Sequence, residues 1–245
     1  MKVNKYNRNI MVKNRKILVT GSSDGIGRSI SKYLLNEGAK VIGISRNHEK
    51  FDPKSDNYIK YNVDVSNMGD LPKKISGIIN DHKDIDGFVS NAGFGKFGNI
   101  ETFSSKEISN YIFTNLSSHI IITNKLLPHL KSINKGNIIY IGSESALKGS
   151  KNGSLYSATK FGLRGFSQSV RDEASSKNIH VTLINPGMVR TSFFNNHDFM
   201  PGDDPSNAIE PDDIAKIVIN ILSIRNGTVI DEINLSPLKK VIKFL

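Results

Sequence analysis

"KILVTGSSDGIGRSISKYLLNEG", residues 16–38, decides the fold. Its opening run of Ile, Leu, Val and Thr has the make-up of a strand buried on both faces. From Gly25 onward apolar residues recur at helical spacing until a closing Gly38, so a helix follows the strand. Gly21, Gly25 and Gly27 crowd the turn between them. Such a turn lets backbone approach a ligand closely, and the helix behind it offers free N–H groups and a favourable dipole to a pyrophosphate. An ordinary tight turn would use the same glycines. The spacing G-x-x-x-G-x-G also differs from the common dinucleotide fingerprint, so the turn alone leaves both readings open.

The same alternation continues outward. "KVIGIS" (40–45), "YIKYNVD" (58–64), "IDGFVSNAG" (85–93), "GNIIYIGS" (136–143), "HVTLINPG" (180–187) and "GTVIDEINL" (227–235) read as strands. Residues 70–82, 104–133, 154–178 and 211–223 read as helices, and 188–208 as an irregular stretch. Near-continuous Val/Ile strands separated by helices predict an α/β fold: one Rossmann-type doubly wound parallel sheet of about seven strands, flanked by helices, over residues 15–245. Residues 1–14 read as a flexible basic extension, with Met11 as an alternative start.

Composition narrows the function. The 245 residues contain no Cys, which excludes disulfides, thiol catalysis and cysteine-ligated metals and agrees with a cytoplasmic location. The apolar runs are far shorter than the roughly 20 residues of a membrane helix. Net charge is +10, but Lys and Arg are scattered rather than striped, so no nucleic-acid partner is expected. His48, His82, His119, His129, His180 and His197 have no ligand spacing, so no metal is expected and they read as surface or packing residues.

In a doubly wound sheet, ligands bind at the carboxyl ends of the strands. Ser45 and Arg46 end the second strand, where an acidic residue would hydrogen-bond the adenosine ribose and select NAD; its absence beside an Arg favours a 2′-phosphate, hence NADP(H) over NAD(H). Asp24, in the glycine-rich turn, would repel that phosphate. Asp64, beyond the third strand, can accept from the adenine amino group or cap its own turn. Asn91, Ala92 and Gly93 offer small groups along the ribose, Ser143 follows the fifth strand, and Asn185, Pro186 and Gly187 end the sixth, with Thr191 a little beyond.

"TGSSDGIG" (20–27), "DVS" (64–66), "NAG" (91–93), Asn115, Ser143, "YSATK" (156–160) and "NPGMVRT" (185–191) occur in the order and spacing of one family. Over Lys16 to about Leu235 the chain resembles the short-chain dehydrogenase/reductases, in their compact single-domain branch. The resemblance implies a catalytic set of Asn115, Ser143, Tyr156 and Lys160. It implies a cofactor bound along Gly21, Ser23, Asp24, Gly25, Ile26, Gly27, Ser45, Arg46, Asp64, Val65, Asn91, Ala92 and Gly93, with Pro186, Gly187, Val189 and Thr191 at the nicotinamide. Lys160 would also hold the nicotinamide ribose, and Asn115 a water linking Lys160 to solvent.

Tyr156 and Lys160 lie four positions apart and so share a helix face. A free phenol has a pKa of about 10; bringing it near 7 takes roughly 4 kcal/mol of phenolate stabilisation, which a fixed ammonium and an oxidised nicotinamide are expected to supply. Tyr156 would then serve as general acid in carbonyl reduction and as base in alcohol oxidation, with Ser143 holding the reacting oxygen.

Residues 93–98, 144–155 and a lid at about 188–208, rich in Phe, are expected to set the substrate; Lys96, Lys148 and Lys151 would favour an anionic one. The carbonyl or alcohol itself is not readable. The C-terminal "DEINLSPLKKVIKFL" lacks the glycine-rich ending of 3-oxoacyl-[acyl-carrier-protein] reductases, which stay an alternative, as does a non-catalytic NADP-binding regulator. The resemblance implies a homodimer or homotetramer, with the basic tail contributing to any further interface.

Overall fold

A computed structural model describes residues 12–245. Residues 1–11, most of the expected extension and the alternative start, lie outside the described residues. Residues 12–14 do not behave as an extension: Val12 is fully buried and the Asn14 N–H donates to the Gly38 carbonyl, because the turn closes the base of the first strand and helix.

The chain forms β1 (Lys16–Thr20), α1 (Gly25–Asn36), β2 (Lys40–Ser45), β3 (Tyr58–Asn62), α2 (Leu71–Asp81), β4 (Ile85–Ser90), α3 (Ser105–Ile112), α4 (Ser118–Ile133), β5 (Gly136–Ile141), α5 (Ser154–Ala174), β6 (Ile179–Pro186), β7 (Phe199–Pro201), α6 (Pro211–Leu222), β8 (Glu232–Leu235) and β9 (Ile242–Phe244). Seven strands make one parallel sheet in the order β3-β2-β1-β4-β5-β6-β8. Successive side chains alternate between its faces. Ile17, Val19, Ile139 and Ile141 pack with α1 and α6, whereas Leu18, Ile138 and Tyr140 pack with α2, α4 and α5.

The expected 104–133 helix is interrupted by a π-helical turn, Phe113–Ser117, between α3 and α4. The expected 227–235 strand is regular only over Glu232–Leu235; before it, the Asp231 carbonyl accepts from the Leu183 N–H while the Asp231 carboxylate pairs with Arg171. β7 arises inside the segment expected to be irregular and pairs antiparallel with β9.

The sheet order reverses between β1 and β4, which opens the crevice of a doubly wound fold. At that point Gly21 (φ 67°) and Gly25 (φ 51°) adopt the left-handed backbone that side chains disfavour. A Cβ on Gly27 would overlap the Gly21 carbonyl oxygen and the Asn91 amide. Gly27→Ala should therefore lower unfolding free energy by about 1–3 kcal/mol in a denaturant titration, as overpacking does; an unchanged midpoint would mean that the turn relaxes around a methyl group.

Candidate active site

α5 presents Tyr156 in its first turn and Lys160 one turn later. Lys160 is buried; its Nζ donates to the Ile141 carbonyl at 3.0 Å and lies 5.7 Å from the Tyr156 ring centroid. Ser143, just past β5, is buried as well; its Oγ accepts from the Ser145 N–H and its own N–H donates to Asn185 Oδ1. Asn185 is itself fixed by donating to Glu232 and Asn234, so β6 and β8 hold Ser143 through one amide.

Burial pushes the Tyr156 phenol up to about 12; the Ser143 hydroxyl works against that rise and the Glu144 charge adds to it. Burial also pulls Lys160 down to about 8. The expected fall of Tyr156 toward neutrality is thus not produced by the chain itself. Desolvation dominates over the Ser143 hydrogen bond, while the Lys160 ammonium is engaged with the Ile141 carbonyl. The phenol is held protonated.

Asn115 sits buried in the π-helical turn, a feature common at functional sites. Its amide grips Phe94 from both sides: Oδ1 accepts from the Phe94 N–H (2.9 Å) and Nδ2 donates to the Phe94 carbonyl (2.8 Å). That leaves its main-chain carbonyl for any relay.

Several residues expected along the cofactor also brace the protein. Buried Ser45 accepts from the Ser23 N–H at 3.1 Å and contacts Ser22, tying β2 to the glycine-rich turn. Asn91 and Ala92 give their N–H groups to Thr20 Oγ1, and the Asn91 amide donates to the Thr20 carbonyl, locking β4 to β1; exposed Gly93 stays open to the cleft. Asp64 Oδ1 accepts from the N–H and hydroxyl of Ser66, capping its own turn, and neither bond uses Oδ2; Val65 beside it is buried. Gly187, next to Pro186, is fixed to Leu235, while Val189 bridges Ile209. Thr191 packs over Gly25, and α1 begins beneath with Ile26 half-buried.

Asp24 is not a bare negative charge. It accepts from Lys50 (2.6 Å), Ser192 (2.9 Å) and the Gly25 N–H (2.8 Å). Burial opposes its ionisation, but these donors outweigh burial and hold its pKa below the usual value. Exposed Arg46 takes part in no salt bridge among the described residues, though its charge helps lower Asp64. Lys50 and Ser192, which neutralise Asp24 from a loop and from the lid, went unread in the sequence because their pairing spans 26 and 168 positions.

The lid folds over the site. Phe193 lies 6.1 Å from the Tyr156 ring, and Phe97 5.4 Å from it on the other wall. The C-terminal tail, expected at a subunit interface, straps this lid within its own chain: β9 pairs with β7, the Leu245 N–H donates to Asp198 and Lys243 pairs with Asp203. Exposed Lys96 pairs with Glu107 and lies over the Phe103 ring, while Lys148 and Lys151 are exposed as well.

A glycine-rich turn lies at the switch point, and buried Ser143 and Lys160 with half-buried Tyr156 lie past β5 and on α5. The sequence profile of the short chain dehydrogenases matches residues 15–200, and the chain belongs to that family, whose enzymes interconvert CH–OH and C=O with NAD(P). Among its relatives, a 3-oxoacyl-[acyl-carrier-protein] reductase of Buchnera aphidicola is 33% identical over 180 residues, 71% of this chain and 73% of the relative. A metagenomic short-chain oxidoreductase in complex with NADP superposes with a TM-score of 0.79 at 27% identity, over 93% of this chain and 98% of that one. A 3-ketoacyl-(acyl-carrier-protein) reductase of Brucella melitensis complexed with NADH shares the fold, with a TM-score of 0.82 at 22% identity over 94% and 100%. No described helix is long and apolar enough to cross a membrane.

Removing residues 239–245 should free the lid. Hydrogen exchange at Phe199 and Met200 is expected to accelerate by at least about tenfold while the β1 amides stay protected; equal protection of these two amides would show that the lid holds itself closed.

Proposed function

We propose that the chain is an NADPH-preferring carbonyl reductase in which Tyr156 donates the proton. The observation that carries this reading is the convergence of a neutral, buried phenol, the Ser143 hydroxyl and the Lys160 ammonium at the carboxyl edge of the sheet. The left-handed glycines and the start of α1 suit a pyrophosphate, so the turn fits a dinucleotide. NADPH, when bound, supplies the hydride. Ser143 orients the substrate oxygen, Tyr156 gives it a proton, and the carbonyl leaves as a secondary alcohol. Lys160, charged below about pH 8 and neutral above it, stabilises the phenolate left behind, and a water held at Asn115 would pass replacement protons from solvent to Lys160.

Arg46 supports the choice of NADPH, because it is exposed at the end of β2 and takes part in no salt bridge among the described residues, with Asp64 in range of its charge. The opposing Asp24 is neutralised by Lys50. A carrier-protein thioester substrate is the second reading, favoured by the Buchnera relative. The exposed Ile112, Ile120 and Phe161 of α3, α4 and α5 suit pairing of two copies in a homodimer.

Fluorescence titration with NADPH and NADH tests this. NADPH should bind at least about tenfold tighter, the worth of one charge-assisted phosphate contact. Arg46→Ala should bring the two to parity, and Lys50→Met should weaken NADPH more than NADH by releasing the Asp24 charge. A preference for NADH overturns the cofactor assignment, and binding of neither overturns the dehydrogenase reading.

A further inference from the structure

The loop between β2 and β3 carries Arg46 and Lys50, the two cations on which the NADPH reading depends. Both are exposed, as are Asn47 and Glu49, whereas His48 is buried and Phe51 half-buried. The two inward rings meet Tyr58 edge-on, His48 at 5.7 Å and Phe51 at 5.2 Å. Tyr58 opens β3 opposite Val41 of β2, yet its hydroxyl reaches Ser22 in the glycine-rich turn. Gly43 makes that reach possible, because a Cβ there would overlap the Tyr58 hydroxyl and Ser22 Oγ.

The Tyr58 hydroxyl is the middle link of a buried chain. Ser45 Oγ accepts from the Ser23 N–H at 3.1 Å and lies 3.3 Å from Ser22 Oγ. Ser22 Oγ lies 2.9 Å from the Tyr58 hydroxyl, which lies 3.0 Å from His48 Nδ1. His48 Nε2 faces the Tyr61 carbonyl at 3.4 Å. The two ends fix the direction of the chain, since a backbone N–H only donates and a carbonyl only accepts. Nε2 therefore carries the imidazole proton and Nδ1 accepts from Tyr58, which accepts from Ser22, which accepts from Ser45. Burial depresses the pKa of His48 and raises that of Tyr58, so the ring is neutral and the phenol protonated near pH 7, as this direction requires.

Packing alone does not call for such a chain. A Phe at position 58 and an apolar residue at 48 would fill the same space without burying hydroxyls that each need a partner. Among the described residues, the only ion pair between this loop and the turn is the exposed Lys50–Asp24 contact, which is weak by itself. The buried chain is thus the firmer tie.

We propose that His48 and Tyr58 are positioning residues for cofactor choice. Through Ser22 and Ser45 they lock the loop to the glycine-rich turn, so that Arg46 is held ready for a ribose 2′-phosphate and Lys50 for Asp24. A cation on a loop already ordered loses less freedom when it meets the phosphate. NADH has no such phosphate and gains nothing from the order. The assignment rests on the NADPH reading above and names what places its charges.

The test is fluorescence titration with NADPH and NADH of the wild type, Tyr58→Phe, Ser22→Ala, His48→Leu and His48→Asn. The first three variants should each lower the NADPH-to-NADH affinity ratio about fivefold, through weaker NADPH binding alone. His48→Asn keeps an acceptor where Nδ1 stands and should recover most of the ratio. Tyr58→Phe combined with Ser22→Ala should fall no further than either alone, because one break already opens the chain. An unchanged ratio in the three variants overturns the proposal and leaves the NADPH reading standing. Equal weakening of both cofactors overturns it too, since the residues would then serve the fold alone, and so does a His48→Asn no better than His48→Leu. If Tyr58→Phe fails to fold, Ser22→Ala and His48→Leu break the same chain at other links and decide the matter. A wild type that prefers NADH overturns the NADPH reading and this proposal with it.

Discussion

No side chain fits where α1 passes over the end of β1. Gly27 rests against the Gly21 carbonyl, and the Asn91 amide is wedged beside both, bonded to Thr20. That contact fixes the angle at which α1 leaves the sheet and ties β4 to β1 at the point where the strand order reverses. The crevice, the free N–H groups of α1 and the seat on which Thr191 packs all follow from it. Asn91 and Ser45 therefore act as braces. Their polar atoms are spent on the shape of the turn, and the ligand-facing surface falls to backbone and to Gly93.

Electrostatics divides the site in two. At the outer end, the Asp24 carboxylate in a phosphate-binding turn would be a liability, and three donors from three segments cancel it. Ser192 is one of them, so the same carboxylate also hooks the lid to the turn. At the inner end, desolvation dominates. It keeps the Tyr156 phenol protonated and lowers Lys160 to about 8, so the two groups meet as a neutral acid and a weakened cation. In this form the phenol is the acid that carbonyl reduction calls for, and the same group would act as base in the reverse direction.

Much of this was legible in the sequence wherever local spacing carries the information. The strand–turn–helix of residues 16–38, the strand ends bearing Ser143 and Gly187, and the shared face of Tyr156 and Lys160 all come from periodicity over a few turns. Long-range pairings were not legible. Nothing near Lys50 announces Asp24, nothing near residues 242–244 announces the lid strand they pair with, and Asn185 gains its role only when β5 lies beside β6. Asp64 was ambiguous because capping and ligand binding use the same carboxylate. The rise of the phenol pKa in the chain alone was not legible either, because charges along a helix face do not reveal the cost of burial.

The central claim is that the Tyr156 hydroxyl delivers the proton under the control of Lys160. The direct measurement is kcat/KM for reduction of butane-2,3-dione with NADPH as a function of pH, in the wild type and in Tyr156→Phe. The wild type should be active at neutral pH and lose activity as pH rises through about 8, where Lys160 gives up its charge. Tyr156→Phe should bind NADPH as before yet lose at least about a hundredfold in turnover at every pH. Turnover within tenfold of wild type with the same pH profile would contradict the account, because the proton would then come from elsewhere.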